Sequence, residues 1–182
     1  IRTYEVKFIP GLLQTEDYAR AVILLGHSSS SPADIEHRVQ LRMQRQRSVF
    51  EHHGGSPRVW AVVDEAALRR PIGGPAVMRA QLKRLIEATT VPEVRLQVMP
   101  ISAAGYAWAG GPFTIMRFPD QEIPDIVYIE HLASALYLDK PEETNDYAVM
   151  MDELCIEAEP PDRTGEIVER ALRDLDSRPG SG

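Results

Sequence analysis

The residues of this chain that could do chemistry are a few well-placed acids, a row of arginines, five histidines and a single thiol. Asp64 and Glu65 stand together after the apolar run Val59-Trp60-Ala61-Val62-Val63, where a strand would bring functional groups to its end. A carboxylate there could act as a general base or contact a ligand. A strand sends neighbouring side chains to opposite faces, so both acids share one cleft only if a turn begins between them. The plainer reading is that they cap a turn over residues 66–68 and pair with Arg69 or Arg70, because buried acids take partners. Glu130 closes a second apolar run, Ile126-Val127-Tyr128-Ile129, and must also find a partner or a ligand. Arg38, Arg42 and Arg45 recur at i, i+4 and i+7, on one helix face beside the apolar stripe Ile35, Val39, Met43. Such a row is either a solvated face paired with acids or a cationic wall meeting Glu65 or Glu130 over a polar pocket.

Other chemistries find little support. There is no Gly-rich phosphate loop, no metalloprotease His pair and no nucleophile elbow. Gly73-Gly74 and Gly110-Gly111 read as turn residues. His52 and His53 are adjacent in a loop signal, with no nearby Cys or spaced acid, which makes a poor metal site; His27, His37 and His131 are scattered. Cys155 falls in the apolar part of a helical pattern, where an inert thiol is expected rather than a nucleophile. Tyr106 and Trp108 sit in a Gly/Ala-rich stretch, residues 102–111, either as a lid or partner-binding spot or folded down onto a sheet. The residues therefore assign no catalytic group, metal or cofactor. Gln14, Tyr18, Arg42, Glu65, Arg69 and Glu130, polar groups at the ends of expected elements, form a candidate ligand site. Tyr106 and Trp108 are candidate partner anchors. The competing reading is an enzyme using Asp64, Glu65 or Glu130 as general acid or base on a small substrate.

These groups need a scaffold, and 182 residues suffice for one domain with a real core. A composition of 43% hydrophobic and 26% charged residues is that of a globular protein. No apolar run is long enough to span a bilayer, no signal segment opens the chain, and one cysteine permits no internal disulfide. A cytoplasmic location follows as the expectation. The net charge of −7 argues against this piece holding nucleic acid by itself, since phosphate neutralisation needs clustered cations. The chain opens at Ile1 rather than Met, which points to a fragment or a processed product.

The patterns predict an extended segment at residues 4–9, broken at Pro10-Gly11. A helix capped by Thr15 should present Tyr18, Val22 and Leu25 on one face. A second begins near Pro32 and ends before His52-His53-Gly54-Gly55. Strands are expected at residues 59–63, 94–98, 113–118 and 126–129, with a helix between the first two carrying Met78, Leu82 and Leu85. A helix opening at Pro141-Glu142-Glu143 turns Tyr147, Met151 and Leu154 inward. A last one, capped by Asp162, turns Val168, Ala171, Leu172 and Leu175 inward. The fold class is α+β, a small sheet of about four strands packed with N-terminal, central and C-terminal helices. Residues 1–55 form a helical segment, 56–159 the sheet-containing core and 160–182 a helix and tail, together one compact unit.

Two segments are more specific than any of this chemistry: Pro10-Gly11-Leu12-Leu13-Gln14-Thr15-Glu16-Asp17-Tyr18-Ala19-Arg20 and Asp64-Glu65-Ala66-Ala67-Leu68-Arg69-Arg70-Pro71-Ile72-Gly73-Gly74. With Met78-Arg79-Ala80-Gln81-Leu82, Gln97-Val98-Met99-Pro100, Gly111-Pro112-Phe113 and Val127-Tyr128-Ile129-Glu130, the chain resembles the C-terminal domain of actinobacterial XRE-type helix-turn-helix transcriptional regulators, a group described as antitoxin-like. The resemblance runs from about Tyr4 to about Ala158. It implies a domain that follows an upstream helix-turn-helix and senses a small partner protein or a small-molecule effector, with DNA contacted only through that upstream domain. It implies no reaction or cofactor, and no role for any matched residue. A homodimer is compatible, because symmetric operators reward two-fold proteins.

Overall fold

A computed structural model describes residues 1–51, 59–103, 110–120, 122–130 and 134–177. Its framework is one six-stranded mixed sheet in the order β3-β2-β1-β4-β5-β6. The strands are β1 (Arg2–Glu5), β2 (Val59–Asp64), β3 (Val94–Met99), β4 (Phe113–Met116), β5 (Ile126–Glu130) and β6 (Ala135–Leu138). The first three run parallel, and β4, β5 and β6 continue the sheet antiparallel from the other side of β1. The fold class is thus α+β, with six strands rather than about four. The added strands are β1, which begins before the expected extended segment and lies in the middle of the sheet, and the short outer strand β6.

The helices α1 (Glu16–Gly26) and α2 (Pro32–Phe50) connect β1 to β2, and α3 (Glu65–Arg69) and α4 (Pro75–Ala88) connect β2 to β3. After the sheet come α5 (Pro141–Glu157) and α6 (Thr164–Ser177). One sheet face buries Val59, Ala61 and Val63 of β2 with Val94, Leu96 and Val98 of β3 against Met78, Leu82, Leu85, Val168, Ala171 and Leu175 of α4 and α6. The opposite face buries Tyr4, Val62, Met99, Phe113, Ile115 and Val127 beneath Met150, Met151 and Leu154 of α5. The N-terminal strand therefore lies inside the sheet that the C-terminal helices cover. Gly73 is required where this packing is closest: its φ is +75°, and a Cβ there would meet Ala21 Cβ and Val77 Cγ1 at 2.9 Å.

Several helical details differ from expectation. The inner face of α1 is Tyr18, Ala19 and Ile23, while Leu25 is exposed, because the helix packs beside α2 through Ile23 against Ile35 and Val39. Asp162 lies in a 3-10 turn, Pro161–Arg163, and α6 begins with Thr164, whose hydroxyl donates to Leu96 O at 2.6 Å. Thr15 does cap α1, accepting from Tyr18 N. Ser31 caps α2. No helix among the described residues is long and apolar enough to cross a membrane.

The strap between β1 and α1 is fixed by glutamines. Gln81 of α4, fully buried, donates to Leu13 O at 2.9 Å and accepts from Thr15 N at 2.7 Å. Gln46 of α2 donates to Gly11 O and Gln14 O. Replacing Gln81 by Leu leaves a buried N–H and a buried C=O unpaired, which costs about 1–3 kcal/mol per group. Gln81→Leu is expected to lose about 2–4 kcal/mol in urea denaturation; a loss below about 0.5 kcal/mol would show that the strap does not depend on this bridge.

Candidate functional site

The register of the strands decides which side chains meet. Because β4 runs antiparallel to β1 and β5 antiparallel to β4, β5 runs parallel to β1 and ends at the same edge of the sheet. Glu5, the last residue of β1, and Glu130, the last of β5, therefore share one edge and one face. Extending the register from Tyr4↔Phe113 and Thr114↔Tyr128 by one residue sets Pro112 between them. Two strand spacings place their Cα atoms on the order of 10 Å apart. The next row on this face is Thr3, Thr114, Tyr128 and Tyr137. The Thr3 and Thr114 hydroxyls are 2.9 Å apart, and the two tyrosine rings lie 5.1 Å apart. On the same face, β2 and β3 present only the apolar side chains beneath α4 and α6.

Arg42 enters this polar half from α2. Its Nη1 donates to Gln14 Oε1 at 2.9 Å, and Gln14 in turn donates from Nε2 to Ile9 O at 2.8 Å. Gln14 is 4% exposed, so its carboxamide serves to position the guanidinium. Tyr18 is fully buried at the back of the same region, where its hydroxyl accepts from Ile9 N at 3.3 Å. Burial pushes the Tyr18 phenol up, and the Ile9 N–H and Arg70 pull the other way. Among the described residues Arg42 makes no ion pair within 4.0 Å with Glu5 or Glu130, although it feels both charges. The cation thus lies near the two acids without pairing with either.

Glu5 is the most perturbed group there. Its side chain is half-buried, and this desolvation raises its carboxyl to about 8. The Glu130 charge raises it further, and Arg42 opposes both. Burial also lowers the Arg42 guanidinium from its ordinary value, with Glu130 and Glu5 opposing and Arg45 assisting. Tyr128 is raised by burial, then by Glu130 and Tyr137.

The remaining sequence-level candidates gather elsewhere on the same edge. Asp64 caps α3, accepting from Ala66 N at 2.7 Å. Glu65 accepts from Arg69 at 2.6 Å and from Ile101 N at 3.2 Å, and Arg69 also donates to Asp174 of α6 at 2.8 Å. Burial works to raise the Glu65 carboxyl, but the Arg69 and Ile101 hydrogen bonds outweigh it and hold it low. The group ties α3 and the exit of β3 to α6, the capping and pairing role the sequence allowed. Of the six candidates, Gln14, Tyr18, Arg42 and Glu130 therefore converge, while Glu65 and Arg69 form a separate cluster. Tyr106 and Trp108 lie outside the described residues, as do His52, His53 and His131.

Sequence reasoning missed Glu5. The signal was slight: Arg2-Thr3-Tyr4-Glu5 has one apolar side chain, and the burial of both Thr3 and Tyr4 follows no alternation. Two cavities of about 230 Å³ lie at the other end of β3, one beside Thr89 and Pro92, the other beside Leu13 and Phe50, and neither includes a residue of this site. Among the described residues no three His, Cys, Asp or Glu side chains come together to hold a metal ion.

The chain is an α+β domain in which an arginine of one helix lies near two acids at one edge of the sheet. The chain belongs to the family described as domain of unknown function DUF5753, whose model matches residues 1–170. No curated protein and no solved structure matches it.

The Glu5 carboxyl has a thermodynamic consequence. The fold keeps it protonated to about pH 8, whereas the unfolded chain ionises it near 4.5. The folded state thus binds more proton in that window, so this contribution is full below about 4.5 and is lost as pH rises through about 8. Glu5→Gln is expected to match the parent near pH 4 and to exceed its stability by several kcal/mol near pH 8.5. Parallel pH dependence in both proteins, measured by denaturant unfolding, would contradict this placement of Glu5.

Proposed function

We propose that this chain is the sensing domain of a bacterial helix-turn-helix regulator of the antitoxin-like kind, acting in the cytoplasm and reaching DNA only through a separate domain. The observation that carries the reading is the cleft itself: Arg42 on a helix faces Glu5 and Glu130 on the sheet without pairing with either. A guanidinium near two carboxyl groups and ion-paired with neither is a set of groups prepared for a ligand rather than for one another. The negative balance of the chain, −7, fits a domain that leaves nucleic acid to another part of the protein. The effector is a small molecule, or a side chain offered by a small partner protein.

The geometry supplies a route for the signal. The most extensive described contacts of α2 are with α1 and the turn Gly11–Leu13. A ligand that joins Arg42 to the acids on β1 and β5 binds best when α2 is drawn toward the sheet, so it shifts the population toward that arrangement. In the full-length regulator, a small-molecule extract of the host is expected to change operator affinity by about tenfold or more. Fluorescence anisotropy with labelled operator reads this directly, and Arg42→Ala should leave operator affinity unresponsive to the extract. An equal response in parent and variant would overturn the assignment of sensing to this cleft.

A further inference from the structure

The arrangement of charge in the cleft narrows the ligand. On the sheet side, Glu5 and Glu130 flank Pro112, whose ring offers neither of them a polar partner. Neither carboxyl has a hydrogen-bond or ion-pair partner among the described residues. The tyrosine pair Tyr128–Tyr137 lies one row below, an electron-rich surface suited to a cation. On the helix side stand Arg42, with one of its guanidinium nitrogens already placed by Gln14, and Arg45 one turn further on. A compound with only a negative group would satisfy Arg42 and lie against two acids. One with only a positive group would satisfy the acids and lie against two guanidinium groups.

Resting on the sensing reading above, we infer that the cleft binds a small zwitterion of the amino-acid class, its ammonium between Glu5 and Glu130 and its carboxylate on Arg42. Each charged group of the ligand then meets protein groups of opposite sign, and no cleft charge is left facing its like. The match also explains the absence of an internal pair: Arg42 closing on Glu130 would occupy both halves of the site.

Binding of this kind releases a proton. The charged groups that act on Glu5 are Glu130 of β5 and Arg42 of α2, and the Tyr18 phenol of α1 feels the Glu5 charge. Against these, the carboxyl is largely protonated at neutral pH. An ammonium placed beside it favours the ionised form, so the bound state holds one proton fewer at Glu5. Affinity therefore rises between about pH 6 and pH 8 and flattens above it, in step with ionisation of Glu5.

The test uses this chain in calorimetric titration with the proteinogenic amino acids and 4-aminobutyrate, each beside its acid lacking the amine and its amine lacking the acid. Dicarboxylates, nucleosides and sugars complete the panel. The expected result is binding by a zwitterion, weakened about tenfold or more when either charged end is removed. Glu5→Gln and Arg42→Ala should each weaken it by a similar factor, with circular dichroism confirming that both variants are folded. Heats measured in buffers of differing ionisation enthalpy should show proton release in the parent and none in Glu5→Gln. If the amine-free acid or a dicarboxylate binds as tightly as any zwitterion and depends on Arg42 alone, this inference falls and the sensing reading stands. If no compound of any class binds while the full-length regulator still responds to host extract through Arg42, the amino-acid class is wrong and the cleft is still the sensor. If both fail, both readings are overturned.

Discussion

One buried carboxamide holds the strap on which the site depends. Gln81 bridges Leu13 O and Thr15 N from α4, so the residue between them, Gln14, is set in place by backbone bonds on either side. Gln46 adds two donors to the same strap from α2. Gln14 uses its own carboxamide to join Ile9 O to the Arg42 guanidinium. The cation is thus tied to the body of the protein through neutral amide groups, not through a carboxylate. That choice matters, because a carboxylate partner would have neutralised Arg42 and removed it from the cleft, whereas an amide orients it and leaves its charge available.

The second constraint is the division of a single sheet face. Across β2 and β3 the face is Val59, Ala61, Val63, Val94, Leu96 and Val98, sealed by α4 and α6. Across β1, β4 and β5 the same face is Thr3, Glu5, Thr114, Tyr128 and Glu130, continued by Tyr137 on β6. A face sealed throughout would have no room for a ligand, and one open throughout could not anchor the helices. Strand direction supplies the rest: two successive antiparallel pairings return β5 to the direction of β1, which brings two carboxyl ends to one edge. Carboxyl ends of strands are where open sheets with helical connections place their ligands.

Much of this was legible from spacing. The stripes Ile35-Val39-Met43, Met78-Leu82-Leu85 and Val168-Ala171-Leu175 are the buried faces of α2, α4 and α6, because a long helix repeats its signal over several turns. The strands β2, β3, β4 and β5 were readable as apolar or alternating runs. β1 was not, because four residues with Arg2, Thr3 and Glu5 among them carry too little apolar pattern, and the reason for Glu5 lies in neighbours distant in sequence. β6 was missed because an outer strand buries little: Leu136 and Tyr137 are 45% and 65% exposed. For the site, the chemistry of each residue type was readable and their grouping was only half so. Glu65 and Arg69 are four apart on α3 and satisfy each other, as spacing allowed, while the meeting of Arg42 with Glu130 depends on sheet register.

The position of Glu5 is where stability and binding oppose one another. A half-buried carboxyl, with Glu130 adding like charge and no partner among the described residues, disfavours its ionised form in the fold. A threonine, as at Thr3 and Thr114 on the same face, would sit there without that conflict. The cost is confined by Arg42, which lowers the carboxyl without touching it, so the acid is neither quenched nor expelled. In the proposed sensor this opposition is useful. A ligand ammonium supplies the charge that the fold withholds, so binding relieves a strain set at the floor of the cleft while its carboxylate engages α2. The same event then changes the protonation of β1 and the position of the helix above it, which is how a contact of a few atoms can bias the arrangement of a whole domain.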